Sequence, residues 1–283
     1  MTDPDPPNTR AHTRTALPAV ATACRQAWLC VLPRDAASRV SCACALVSQR
    51  KDNLVRNSRR LRATHGPMYD FVPVSFILPN EYTKFATFFA DERELLAGRT
   101  PSRDGGGGGG PDASPVYICK PTDLSRGRGI FLFRDIADLS YDRPAVVQRY
   151  VERPLTVGGY KLDLRIYVLV TSVQPLRAFL FKEGITRFST EKYDMSDIEN
   201  AYKHLTNYSI NKKSDHYSIS KDTIGAGSKW LVSTLMDHLS KHGVDQKLLW
   251  TRIENMVLLT IFGLLSVVPK ADGAAPPRAC CIL

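Results

Sequence analysis

The sequence predicts an α+β domain, and three observations carry that expectation. Strand signals crowd the middle of the chain, helical periodicity follows them, and Pro- and Gly-rich stretches punctuate the chain before them. The strand-rich region opens at VYICK (116–120) and continues through IFLF (130–133), AVVQRY (145–150), LDLRIYVLVT (162–171) and RAFLFK (177–182). Two helical stripes come next. One holds Trp230, Leu231, Thr234, Leu235, His238 and Leu239, and the other holds Leu249, Ile253, Met256, Val257, Thr260 and Leu264. Upstream, FVPVSFILPNEYTKFATFFA (71–90) reads as a strand, a turn at Pro79–Asn80 and the start of a helix.

Composition divides the chain further. Residues 1–49 are rich in Pro, Ala, Thr, Arg and Cys without a sustained period, and read as a leader that is poorly ordered or not native to the domain. Residues 50–97 form an amino-terminal lobe segment. A flexible insert at 98–115, holding the consecutive glycines Gly105 to Gly110, separates it from the main domain at 116–268, and 269–283 reads as an unstructured tail. At 283 residues with 43% hydrophobic and 23% charged residues, wholesale disorder is excluded. The net charge of +10 points to an acidic partner, a nucleic acid or an anionic surface, and most of the excess lies in the first 62 residues. The seven cysteines form no paired CxxC clusters, which predicts reduced thiols in an intracellular protein. The apolar run Met256–Val268 falls short of the roughly 20 residues that span a bilayer, so it predicts a buried helix. No secretory signal pattern opens the chain.

Three segments carry residues suited to chemistry. Between the first two strands of the domain, Lys120 precedes a loop with Arg126, Gly127, Arg128 and Gly129, where glycines let backbone amides approach phosphates and the cations add charge. A hairpin turn explains the same residues. In the strand from Tyr160, a period of two puts Leu162, Leu164 and Ile166 on one face and Lys161, Asp163 and Arg165 on the other. That polar face suits a nucleotide, and equally a solvated charge ladder. Arg187 follows a predicted tight turn at EGITR, and HLTN places His204, Thr206 and Asn207 together. His204 also reads as a packed, hydrogen-bonded histidine.

The ordered series YICKP, SRGRGI, VVQRYVERPL, YKLDLRIYVLVT, EGITRF and HLTNYSIN resembles the tubulin tyrosine ligase-like family over about residues 50–268. The resemblance implies an ATP-grasp fold and ATP-dependent attachment of glutamate to the acidic tails of tubulin in microtubules, with an acyl-phosphate intermediate. By motif, it implies Lys120 toward the α-phosphate, Gln148 and Tyr150 at the adenine hinge, and the Arg126–Gly129 loop over the phosphates. Lys161 and Asp163 would hold adenine or ribose, and Arg165, Arg187 and Asn207 would bind phosphates and the acyl phosphate. His204 and Thr206 would lie beside the nucleotide, and Lys51 of RKDNL would reach the site from the amino-terminal lobe. Magnesium is implied as well. The setting implied is cytoplasmic microtubules, including those of cilia or flagella.

The chain departs from the family pattern after Val268, where an aspartate strand and a Glu-x-Asn segment would follow, and before Arg50. A fold incomplete at its carboxyl end is therefore expected, with no residues assigned to metal. An impaired form that keeps only nucleotide or microtubule binding is the alternative reading. A specific nucleic-acid partner is not expected, because basic charge comes without a stacking platform or recognition helix. The terminal Cys280–Leu283 has the C-a-a-X form favouring geranylgeranylation, but four residues are weakly specific and a membrane anchor is not expected.

Overall fold

The computed structural model of the chain describes residues 50–97, 114–173, 175–217, 224, 229–265 and 281–282. The leader, nearly all of the glycine insert and most of the tail lie outside these. The amino-terminal lobe contributes helix α1 (Lys51–His65), strand β1 (Ser75–Leu78) and helix α2 (Tyr82–Ala97). Strands β2 (Tyr117–Pro121), β3 (Phe131–Phe133) and β4 (Ala145–Arg149) then join β1 in an antiparallel sheet of order β1-β4-β2-β3.

The two faces of this sheet differ because side chains alternate. One face presents Phe76, Leu78, Tyr117, Cys119, Phe133 and Val147, which pack against Phe85 and Phe89 of α2. Phe85 meets Tyr117 edge-on, with centroids 5.2 Å apart, a geometry favoured by opposed ring quadrupoles. The Cys119 thiol is free and buried here, and burial pushes its pKa up to about 11. The opposite face carries Ser75, Ile77, Ile118, Lys120, Val146 and Gln148, brought together by the pairings Ser75↔Gln148 and Ile118↔Gln148. Val55 of α1 packs on Ile77 and Val146.

A second antiparallel sheet follows, of order β5-β6-β7-β8: β5 (Thr156–Val157), β6 (Tyr160–Val173), β7 (Leu176–Lys192) and β8 (Lys229–Leu231). Short helices α3 (Ala201–His204) and α4 (Tyr208–Asn211) lie between β7 and β8, and α5 (Val232–Lys241) and α6 (Gln246–Leu265) close the fold. Leu162, Leu164 and Phe188 pack on Val232, Leu235 and Leu239 of α5 and on Leu249, Ile253 and Met256 of α6. Lys161, Asp163 and Arg165 therefore share the face away from these helices, as the period of two predicts. Among the described residues no helix is long and apolar enough to cross a membrane.

Three expectations change. EGITR is not a turn, because residues 183–187 continue β7, with Gly184 opposite Ile166. A Cβ on Gly184 would stand 2.4 Å from the Arg165 carbonyl oxygen, so the glycine serves a close backbone approach rather than a reversal. Trp230 and Leu231 belong to β8, and the helical stripe starts at Val232, since pairing with Thr186 and Ile185 outweighs local helical periodicity. In the tail, Cys281–Ile282 forms a strand, β9, against Val170 and Leu169 of β6 instead of lying unstructured. Cys280 and Leu283 of the C-a-a-X motif lie outside the described residues.

The Gly184 contact predicts that Gly184→Ala destabilises the chain by about 1–3 kcal/mol through backbone overpacking. Urea unfolding checks this, and equal stability of the variant would show that β6 and β7 do not approach as closely as described.

Candidate functional site

The polar faces of the two sheets supply a cluster of lysines. Lys120 of β2 is 3% exposed and Lys161 of β6 is 8% exposed. Lys120 Nζ donates to Gln148 Oε1 at 2.6 Å, while Gln148 Nε2 donates to Ser75 Oγ at 2.8 Å. Lys161 Nζ donates to the Tyr150 hydroxyl at 2.8 Å and to the His204 carbonyl at 2.7 Å, and lies 4.6 Å from the Tyr150 ring centroid. From α1, Lys51 Nζ donates to the carbonyls of Pro121 (2.7 Å) and Leu124 (2.6 Å), fastening the helix to the base of the glycine loop.

Among the described residues none of these ammonium groups has a carboxylate within 4.0 Å. Burial lowers the Lys120 pKa to about 7, with smaller contributions from the charges of Lys161 and Lys51. Burial likewise lowers Lys161 to about 7, against a smaller opposing pull from Asp163. Burial also lowers Lys51, opposed by Asp123 and Asp52.

Beside the lysines runs a second charged row. Asp163 and Arg187 are cross-strand partners, and Arg187 Nε donates to Asp163 Oδ1 at 2.8 Å while its Nη2 donates to Oδ2. Two residues along β6, the Nε of Arg165 is buried with no hydrogen-bond partner among the described residues. An orphaned guanidinium nitrogen beside a fixed Arg187 is an incomplete anion cradle. The glycine loop lies nearby in the chain, with Arg126 at φ 61°, Gly127 at 81° and Gly129 at 67°. A Cβ on Gly127 would stand 2.6 Å from Ile210 Cδ1 and 3.0 Å from Asn207 Cγ, so the loop packs directly on the start of α4. Ser209 Oγ ties it there by donating to the Arg126 carbonyl at 2.5 Å.

The structure thus brings Lys51, Lys120, Gln148, Tyr150 and Lys161 together, and brings Gly127 to Asn207. Arg126 and Arg128 sit on the exposed loop, and Thr206 lies half-buried between α3 and α4. His204 is different: it is fully buried, with Nε2 donating to the Asp197 carbonyl at 2.9 Å and Nδ1 accepting from Tyr150 at 3.1 Å. Burial lowers its pKa, so the ring is neutral and positions the tyrosine that receives Lys161. Of the two readings of His204, the packed one describes its contacts. The side chain of Gln148 is likewise engaged at both ends, and Asp163 is held by Arg187, so each orients a neighbour. Sequence reasoning missed Ser75, whose hydroxyl fixes Gln148, and Asp197, whose carbonyl fixes His204. Both act through long-range register and backbone, which leave no local motif.

An α+β domain whose two antiparallel sheets turn buried lysines and arginines toward one another is the class this arrangement defines. Comparison with known proteins then places it. The model of the tubulin-tyrosine ligase family matches residues 37–280, and the chain belongs to that family. The match reaches further at both ends than the motif series at 50–268. Among curated relatives, the probable tubulin polyglutamylase TTLL2 of Homo sapiens is 42% identical over 223 residues, covering 78% of this chain and 35% of that protein. Its counterpart of Mus musculus is 43% identical over 222 residues, covering 78% of this chain and 38% of its own. The tubulin monoglutamylase TTLL4 of Mus musculus is 38% identical over 218 residues, covering 75% of this chain and 16% of its own. The chain therefore spans little more than a third of the length of the first two.

The lysine cluster predicts a pH dependence of stability. Folded pKa values of about 7 lie below the unfolded value of 10.5, so the folded state binds fewer protons between those limits. Stability of the ligand-free chain accordingly rises as pH goes from 7 toward 10 and falls as pH drops toward 7. Denaturant titrations at pH 7 and pH 9 check the sign, and lower stability at pH 9 would contradict it.

Proposed function

We propose that this domain is the nucleotide-binding part of an ATP-dependent protein–glutamate ligase that acts on the acidic tails of tubulin. The observation that carries the reading is the anion cradle, in which under-neutralised Lys120 and Lys161 lie beside Arg187 and the unpartnered Arg165 Nε. A polyphosphate supplies the negative charge these groups lack, and the docked glycine loop supplies close backbone approach. The relatives named as tubulin polyglutamylases and a tubulin monoglutamylase support the substrate class. The family match supports an ATP-grasp arrangement.

ATP would supply activation of a carboxylate, its γ-phosphoryl group passing to a carboxylate oxygen as the bond to ADP breaks, to give an acyl phosphate whose carbonyl carbon an amine attacks. The new C–N bond forms as the C–O bond to phosphate breaks, and the amine loses a proton. The protein's part is charge neutralisation and alignment. Lys120 and Lys161 take the phosphate chain from the sheet floor, with Gln148 holding the first and Tyr150, steadied by His204, holding the second. Arg165 and Arg187 face the oxygens of the transferred group, Asp163 fixing Arg187, and Asn207 meets the loop from the far side. Magnesium has no set of three His, Cys, Asp or Glu side chains among the described residues, and Asp163 is engaged by Arg187. These residues do not make a metal site by themselves, and no step is assigned to one. The corresponding setting is cytoplasmic microtubules, including those of cilia or flagella.

Incubating the full chain with microtubules, ATP, magnesium and radiolabelled glutamate tests the reading, and label should appear in tubulin. Arg165→Ala should cut incorporation about 100-fold or more, the usual loss when one donor to a transition state is removed. A folded chain that binds ATP but transfers no glutamate would leave nucleotide binding alone. Undiminished transfer by Arg165→Ala would overturn the assigned cradle.

A further inference from the structure

One cluster beside the cradle is not used by the nucleotide reading. Lys229 of β8 is the cross-strand neighbour of Arg187, which itself pairs with Asp163, so the three strands carry a continuous row Asp163, Arg187, Lys229. Lys229 Nζ stands 4.4 Å from the ring centroid of Tyr208, and Lys212 Nζ stands 5.7 Å from the same centroid. Tyr208 is 48% exposed and rests edge-on against Tyr217, with centroids 6.1 Å apart. Both lysines are exposed, and among the described residues neither has a carboxylate within 4.0 Å. Two ammonium groups held at one aromatic ring repel each other, and an anion between them removes that repulsion.

We infer that Lys212, Tyr208 and Lys229 form a docking platform for a glutamate-rich peptide, the acceptor of the ligase reaction. The inference rests on the ligase reading of the neighbouring cradle and adds to it the surface that receives the substrate. Chain connectivity sets the position: Tyr208 lies between Asn207, which touches Gly127, and Ser209, which bonds the Arg126 carbonyl. A carboxylate on the platform is therefore next to the loop and, along the β7–β8 row, next to Arg187. The methylene stem of a glutamate fits against the tyrosine ring while its carboxylate bridges the ammonium groups. A nucleic acid fits less well, because lysine ammonium groups already stand over the ring on which a base would stack.

The experiment measures binding of a fluorescein-labelled peptide of repeating Glu-Gly to the full chain by anisotropy, without turnover, with ATP affinity measured in parallel. The double reversal Lys212→Glu with Lys229→Glu should weaken peptide binding about tenfold at low salt, while Lys212→Arg with Lys229→Arg retains it. ATP affinity should stay within about twofold in both, because neither lysine belongs to the cradle. Unchanged peptide affinity in the folded charge-reversal variant overturns the platform. A parallel loss of ATP affinity also overturns it, by moving the lysines into the nucleotide site. Displacement of the peptide by a single-stranded oligonucleotide at lower concentration than by unlabelled peptide would assign the surface to nucleic acid instead. Peptide binding that depends on these lysines in a chain that transfers no glutamate would support the platform and count against the ligase reading alone.

Discussion

Burial of lysine between two sheets is the constraint on which this structure turns. Lys120 and Lys161 come from different sheets, burial lowers the proton affinity of both, and the charge of Lys161 lowers that of Lys120 further. An apolar residue at either position would make a more stable core. The surrounding structure reads as support for keeping them: Ser75 fixes Gln148, which fixes Lys120, while Asp197 fixes His204, which fixes Tyr150 beside Lys161. Both chains of contacts begin far away in sequence, and each ends at a buried ammonium group, Lys120 or Lys161.

The sheets make this arrangement possible by keeping apolar and polar faces apart. In the first sheet, the aromatic face is closed by α2, and in the second the Leu162 face is closed by α5 and α6. Because α2, α5 and α6 take the apolar faces, the opposite faces gather Lys120, Gln148, Lys161, Asp163 and Arg165, with α1 packed on Ile77 and Val146 beside them. Gly184 shows how tightly the second sheet is drawn, since no side chain fits where β7 passes the Arg165 carbonyl. That closeness holds Arg187 level with Asp163, and so sets the row that continues to Lys229.

Much of this was legible in the sequence. The five strand runs, the strand-turn-helix at 71–90 and the shared face of Lys161, Asp163 and Arg165 all follow from a period of two and from turn residues, and each has its counterpart in the sheets. What was not legible depends on partners distant in the chain. EGITR contains a glycine and reads as a turn, yet its pairing with β6 keeps it extended. Trp230 and Leu231 fit a helical stripe, yet β7 captures them as β8. His204 carries no local mark of its burial, and Gln148 none of its bond to Lys120. The glycine loop was visible as a motif, but its contact with Asn207 spans some eighty residues and emerges only in three dimensions.

The central claim is that the buried lysines are short of negative charge and that a bound polyphosphate provides it. Calorimetric titration of the full chain with ATP at pH 8, repeated in buffers of differing ionisation enthalpy, counts the protons exchanged. At that pH lysines with pKa values of about 7 are mostly neutral, and a phosphate beside them raises their pKa. The account predicts uptake of about one to two protons for each nucleotide bound, cut by about half in a Lys161→Met variant that still folds, because Lys120 remains. Binding with no net proton uptake would contradict it.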